Sequence, residues 1–289
     1  MSNPTSQSFL HISDLHAGGP FRRKVGEALL EAAQALNPMA VVVSGDLVQR
    51  CELRHHWRQI EAYLERFRPP LLVVPGNHDL PVFDPLRRLL HPLKRYRAHV
   101  HQEVERVLSL PGITIVGVST PKRWTVDLGY VSEAQRAWLR ATVAASPEDS
   151  LRVAVLHHGL RQQPVGVARN HLHDSTQLIR ELAQAGVQLV LSGHNHFPHV
   201  EVLHGDAEQS FVWSQAGTAT SDRLRSAGFH TNSFSLVRSY PTRLEIEWWG
   251  YEEEQGTFAK RQVHGFERRG RAMRRIPSDG LGRTAHSEA

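Results

Sequence analysis

The sequence predicts an α/β fold of four layers, an α/β/β/α sandwich of two mixed β-sheets packed face to face and flanked by helices. Three observations predict it. Short apolar runs rich in β-branched residues or leucine end in Gly, Asp, Asn or His, and segments of helical spacing follow them. From about Phe197 onward the pattern changes to strands alone, which suits a second sheet packed on the first. The chain of 289 residues with 40% hydrophobic content is also long enough to bury a large core without disulfide or metal staples.

Residues 9–12, 40–43, 71–74, 113–118, 153–156 and 187–191 read as buried strands. Between the first two, Val25, Leu29, Ala32, Ala33 and Leu36 recur at i, i+4, i+7, i+8 and i+11, one face of a helix. Residues 53–67, 132–143 and 175–185 have helical spacing, and Ser132 and Ser175 are expected to cap the last two. Strands at 199–203, 210–213, 233–237 and 244–249 complete the pattern. Residues 81–109 carry prolines and many basic side chains without a clean period, and are expected as an insertion near the active-site rim. The domain is placed at 8–250, after a flexible 1–7. Residues 251–289 are expected as a basic tail, partly disordered, because from Glu252 they hold eight basic and six acidic residues, with Arg268, Arg269, Arg271, Arg274 and Arg275 close together.

Composition excludes several classes. The lone cysteine, Cys51, forms no internal disulfide and no cysteine zinc site, so nothing argues for an oxidising compartment. No apolar run approaches the ~20 residues of a membrane span, and the polar first eight residues carry no secretory signal. A cytoplasmic location and no membrane partner are therefore expected, with the oligomeric state left open. Thirty-four basic against 29 acidic residues leave a charge of +5, a mild bias that permits nucleic acid as a partner without favouring it. Histidine is more unusual, at 19 residues, because neutral imidazole is the commonest metal ligand.

Five polar clusters decide where that chemistry lies. Asp14-Leu15-His16 alone says little, since about 0.7 Asp-x-His matches arise by chance from this composition. Ser44-Gly45-Asp46 alone is a turn. Pro75-Gly76-Asn77-His78-Asp79 is different, because the chance of Gly-Asn-His-Asp is about 0.001. His157-His158-Gly159 follows a later strand. Gly193-His194-Asn195-His196 contains Gly-His-x-His, expected about 0.09 times, and extended backbone puts its two histidines on one side. Each cluster lies past the carboxyl end of a predicted strand, where open α/β sheets gather distant residues into one crevice. Aspartate, asparagine and histidine without thiolate form an oxygen and nitrogen set suited to manganese, iron, zinc or cobalt.

With all five blocks in order from Asp14 to His196, the sequence resembles the calcineurin-like metallophosphoesterase family. The resemblance implies a first metal held by Asp14, His16 and His196 and a second held by Asn77, His157 and His194, with Asp46 bridging them. It also places His78 toward the substrate, and Asp79 behind it as the group that orients it. Two divalent transition-metal ions are the expected cofactors, manganese first, with iron, zinc or cobalt as alternatives. Two ions about 3.5–4 Å apart can hold a bridging hydroxide as nucleophile and clamp phosphorus for in-line attack. A protonated His78 can then stabilise phosphoryl oxygens or protonate the leaving group.

Two such ions, two aspartates and one hydroxide leave a net charge of about +1, which matches the single charge of a phosphodiester. Arginines reaching in, such as Arg87, Arg123 or Arg161, would cancel that match. Gln49 and Asp79 depart from the protein serine/threonine phosphatase branch. The pattern is more similar to bacterial cyclic-nucleotide and glycerophosphodiester phosphodiesterases, although Gly159 stands where those usually carry proline. A phosphodiesterase acting on a small or nucleotide-like diester is the leading expectation. Its rivals are a phosphomonoesterase, a nuclease, and an inactive scaffold that binds proteins. His158 is expected behind the ligands, and His55, His56, His171 and His173 on the surface. Residues 217–221, with Arg223, Arg225 and Asn232, resemble a loop that lines the groove in bacterial members.

Overall fold

The computed structural model describes residues 7–162, 171–206, 208–224, 230–270 and 272–277. Arg225 and Arg271 lie outside them, as do residues 1–6 and 278–289. The first half runs β1 (Gln7–Ile12), α1 (Arg23–Leu36), β2 (Val41–Val43), α2 (Arg54–Leu64), β3 (Leu71–Val73), α3 (Pro85–Leu90), α4 (Lys94–His99), β4 (Arg106–Leu110) and β5 (Ile113–Gly117). Then come α5 (Glu133–Ala144), β6 (Leu151–Val155), α6 (Ser175–Ala185), β7 (Leu189–Ser192), β8 (His199–His204) and β9 (Ser210–Gln215). Four strands close the fold: β10 (Ser233–Ser239), β11 (Arg243–Glu252), β12 (Thr257–Arg269) and β13 (Ala272–Ile276).

They form a seven-stranded sheet, β13-β12-β11-β10-β1-β2-β3, and a six-stranded sheet, β4-β5-β6-β7-β9-β8. Both are mixed. β1, β2 and β3 are parallel, with Leu10 opposite Val41 and Val42 opposite Leu72, while β10 joins β1 antiparallel. Pleat alternation assigns the layers. Leu10, Ile12, Val41 and Val43 point at α1 and α2, where Val25, Leu29, Trp57 and Ile60 meet them. Phe9, Val42 and Leu72 point the other way, onto Ile115, Val153, Val155, Leu189 and Val212 of the second sheet. Val116, Ala154 and Val190 then face Leu139 and Val143 of α5 and Leu178 and Leu182 of α6. The expected four-layer sandwich is therefore present, and no described helix is long and apolar enough to cross a membrane.

Two expectations need correction, and a third gains detail. The basic stretch after residue 251 is not a tail over its described part: β11 continues to Glu252, and β12 and β13 extend the first sheet. Phe266 and Met273 are buried between the sheets, while Lys260, Arg261 and Arg274 occupy exposed positions, so charge on the solvent face hid a half-buried strand pair. Gln7 belongs to β1 rather than to a flexible N-terminus. The 81–109 region is ordered as α3, α4 and β4. Asp84 caps α3 by accepting from the Arg87 amide, Tyr96 Oη of α4 donates to Val73 O at 2.7 Å, and β4 pairs antiparallel with β5. A smaller difference concerns α6, which begins at Ser175 behind Asp174 at φ 55°, with no side-chain cap; Ser132 does cap α5.

Candidate metal centre

The five clusters meet at the carboxyl ends of β1, β2, β3, β6 and β7, where the two sheets adjoin. Past β1, β2 and β7 the chain leaves regular structure through left-handed backbone. Seven non-glycine residues have positive φ among those described, and five of them are Asp14, His16, Asp46, His194 and His196. Such conformations cost about 1–3 kcal/mol each and persist only where the surroundings over-determine them. Here the loops after β1 and β2 stay paired: the amides of Asp14, His16 and Ala17 donate to the carbonyls of Gly45, Asp46 and Leu47 at 3.0, 3.0 and 2.8 Å. Thr218 Oγ1 and Thr220 Oγ1 donate to Asp14 O and Leu15 O. The 217–221 stretch thus braces the Asp14 loop. Gly45 (φ 96°) has no room for a side chain, since a Cβ would lie 2.5 Å from His157 Nδ1; at Gly193 one would collide with Ser13 and Asp14.

These turns aim donor atoms at two adjoining points. Asp14, His16, Asp46 and His196 form one group that can hold a metal ion, and Asp46, His157 and His194 form another, so Asp46 belongs to both. Asn77 completes the second, with Oδ1 3.1 Å from both His157 Nε2 and His194 Nδ1. All seven side chains are buried, and His78 alone of the nine singled-out residues is half-exposed.

The hydrogen-bond network fixes how these side chains present themselves. His157 Nδ1 donates to Ser44 O at 2.7 Å and His196 Nδ1 to Arg223 O at 2.7 Å, so the Nε2 atom of each carries a lone pair into the crevice. Asn77 Nδ2 donates to Asp127 Oδ1 at 3.3 Å, which turns its carbonyl oxygen inward. His157 Nε2 therefore faces Asn77 Oδ1, and His196 Nε2 faces Asp14 Oδ1 at 3.2 Å: acceptor against acceptor with no proton to share. Asp14 Oδ1 is buried with no hydrogen-bond donor. Such pairs repel unless a cation lies between them, and the donor set fits two. Charge states agree. Burial, then His196 and His78, holds His16 well below the usual imidazole range, in the neutral form a ligand needs. Burial opposes ionisation of Asp14; only protonated His196, His157 and His16 would carry its carboxyl well below the usual range, a role that falls to cations when the imidazoles are neutral.

His78 stands beside this group. Its amide donates to Asp46 Oδ1 at 2.9 Å, and its ring donates from Nδ1 to Gln49 O at 3.0 Å. Nε2 lies 3.2 Å from Arg223 Nη1, which also donates to Gln49 Oε1. Asp79 does not orient His78, contrary to expectation. As the last residue of a single 3₁₀ turn, Asn77–Asp79, it folds back to accept from Gly76 N at 2.7 Å, Leu47 N at 3.0 Å and Val48 N at 3.1 Å. It ties the Asn77 loop to the Asp46 loop. Burial and Asp46 push its pKa up, opposed by these three amides.

The other nominated residues divide. His158 is buried behind His157, with Nδ1 2.7 Å from Thr120 Oγ1, and is held neutral by burial and by His157. His55 and His173 are exposed and His171 half-buried, but His56 is buried against Gly18 rather than on the surface. Arg87, Arg123 and Arg161 engage Asp84, Leu89 O and Glu201 instead of the crevice. Among the described residues, the cation that does reach in is Arg223. Asp127, which orients Asn77, went unseen because no motif surrounds it; nor did any signal single out Ser44 O.

A family model described as calcineurin-like phosphoesterase matches residues 8–198. Among solved structures, a purple acid phosphatase from yellow lupin (Lupinus luteus) seeds is similar with a TM-score of 0.70, at 11% identity over 91% of this chain and 54% of that one. A dimetal phosphatase from Danio rerio is similar with a TM-score of 0.63, at 15% identity over 89% of this chain and 99% of that one. At those identities the likeness is one of fold. A curated relative, lipoxygenase 6, chloroplastic, of Arabidopsis thaliana, is 24% identical over 211 residues, 73% of this chain; the chain spans 18% of that protein's length.

Proposed function

The chain belongs to the calcineurin-like phosphoesterase family, and from that premise we propose that it is a dinuclear-metal hydrolase of phosphoric esters, acting on a small or nucleotide-like phosphodiester. The observation that carries the reading is the position of Asp46, common to two groups of inward-facing acceptors. In this reading Asp14, His16 and His196 hold one ion, Asn77, His157 and His194 the other, and Asp46 both. The pair, when bound, supplies Lewis-acid polarisation of phosphoryl oxygens and an acidified water at neutral pH. Manganese is the preferred metal, with iron, zinc or cobalt admitted by the same donors.

The chain's own groups do the rest. Ser44 O and Arg223 O hold His157 and His196 in their ligating tautomers. Asp79 keeps the loops that carry Asp46 and Asn77 at fixed separation. His78, half-exposed at the mouth with Nε2 beside Arg223 Nη1, positions a phosphoryl oxygen or returns a proton to the leaving group. A cytoplasmic location is included in this reading, on the ground that the chain carries a single cysteine and so no internal disulfide.

The diester assignment rests on motif resemblance, since Arg223 alters the charge match that first favoured it. With a guanidinium 3.2 Å from His78 Nε2, the crevice gains one positive charge and suits a dianion. That observation favours phosphomonoester hydrolysis as the second reading. A panel of cyclic nucleotides, glycerophosphodiesters, nucleotide-sugar diphosphates, oligonucleotides and phosphomonoesters, offered to manganese-reconstituted protein, tests both. Highest kcat/KM on a small diester, with two metals per chain, is the expected result. Turnover of monoesters alone selects the second reading, and two bound metals with no ester hydrolysed overturns both.

A further inference from the structure

Among the described residues, large apolar side chains exposed to solvent are not scattered over the surface. Of the eight among the described residues, Val107 lies on β4, and the other seven fall in two segments, 82–90 and 124–126, that Arg88 and Arg123 tie together beside the Asn77 turn and Asp127. Val82 and Phe83 follow directly from the Asn77–Asp79 turn, and Leu86, Leu89 and Leu90 lie on α3. Trp124 and Val126 come from the facing loop, next to the Asp127 that orients Asn77. Phe83 is 68% exposed, Leu86 67% and Trp124 69%. A contiguous apolar patch this concentrated marks an interaction surface.

The patch is built rather than frayed. Arg88 is buried beneath it and donates to Pro81 O at 2.7 Å, Arg123 O at 3.0 Å and Lys122 O at 3.1 Å, and also to Thr125 O, stapling α3 to the Trp124 loop. Glu52 Oε1 accepts from the amides of Val82 and Phe83 at 2.6 and 2.7 Å, and Arg50 stacks on the Phe83 ring at 4.3 Å. Such bonds hold apolar side chains outward where collapse would bury them.

Beside it runs a basic groove of about 340 Å³, lined by Arg54 and Arg58 of α2, Arg87 of α3 and Lys94 and Arg95 of α4, with no carboxylate among its lining residues. Apolar side chains that enter an acyl boundary, flanked by cations that meet phosphate headgroups, are the two ingredients of peripheral attachment to an anionic bilayer. We propose that this rim is a docking surface for an anionic lipid membrane. Docking sets the mouth of the crevice against the headgroup layer and needs no membrane-spanning helix. A basic groove alone would equally suit a nucleic acid; seven exposed apolar side chains at the same rim favour lipid.

Flotation of the full chain with phosphatidylcholine vesicles, with and without phosphatidylglycerol, tests this independently of any hydrolysis. Association is expected with the anionic vesicles only, falling as salt rises from roughly 0.05 to 0.5 M. The triple variant Phe83→Ser, Leu86→Ser, Trp124→Ser should lose about tenfold or more in vesicle partition. Its metal content and its turnover of a soluble ester should be unchanged, which shows that it has folded. Arg54→Glu with Arg58→Glu should likewise weaken vesicle binding. Absence of binding at low salt, or binding undiminished in the triple variant, overturns the proposal. So does tight, salt-sensitive binding of a single-stranded oligonucleotide without vesicle binding.

Discussion

Around the first ion position, Asp14, His16, Asp46 and His196 all sit at positive φ; around the second, His194 and the shared Asp46 do, and Asn77 and His157 do not. The chemistry differs in parallel. The first position has two carboxylates and two imidazoles, the second has the shared carboxylate, two imidazoles and a neutral amide. Sharply turned loops, locked to one another by backbone pairing, thus aim the more highly charged set. The other set is aimed from strand ends and a 3₁₀ turn, by hydrogen bonds to Ser44 O and Asp127. The difference teaches that the first position should bind metal more tightly and resist perturbation, while the second should be the exchangeable one.

Asp46→Asn, which weakens both positions at once, should have the largest effect. Activity should fall by ~10³-fold or more, with fewer than two metals per chain by elemental analysis. Full metal content with near-normal turnover would remove the shared ligand from the scheme. Next, Asn77→Ala should leave one tightly held metal and reduce turnover about 10²-fold, whereas Asp14→Ala should lose the tighter ion and keep at most one that dialysis removes. An ion held as tightly in Asp14→Ala as in Asn77→Ala would break the comparison.

Arg223→Ala should retain both metals and lower kcat roughly 10- to 100-fold, with monoesters suffering more than diesters. An equal loss on both substrate types would show that the guanidinium orients His78 without reading substrate charge. The smallest expected effect concerns the shared foundation of both positions. His11, buried on β1 with Nε2 2.9 Å from Ser44 Oγ, has its pKa lowered by burial to about 3. The unfolded imidazole titrates near 6.5, so between those values the unfolded chain binds the extra proton. Stability should therefore fall as pH drops from about 6.5 toward 3, by up to a few kcal/mol. Chemical denaturation across that range should show a shallower acid limb for His11→Gln, and an unchanged slope would assign the acid sensitivity elsewhere.

Strands whose two faces are both buried were the most legible part of the fold, because β2 is wholly apolar and β1, β6 and β7 are dominated by apolar residues around His11, Arg152 and Ser192. β12 and β13 were not, because Lys260, Arg261 and Arg274 occupy exposed positions, while Phe266 and Met273 alone of their large apolar residues face the second sheet and Phe258 packs with the helix-side cluster. The same contrast holds at the site. Asn77, His194 and His196 stand in short, improbable motifs and Asp14, His16, Asp46 and His157 share their place at strand ends, whereas Asp127 and Arg223 act from ordinary loop sequence.

The sequence by itself determined the layer pattern and the identities of the residues that converge, since apolar periodicity and the types of donor atom are local properties. The tertiary structure decided which way those atoms face. Asp79 clamps loops instead of orienting His78 because a 3₁₀ turn reverses its side chain; Arg223, rather than Arg87, Arg123 or Arg161, supplies the cation because of where one distant loop crosses another. Directions of this kind come from backbone angles and contacts between segments far apart in the chain, which no local pattern encodes.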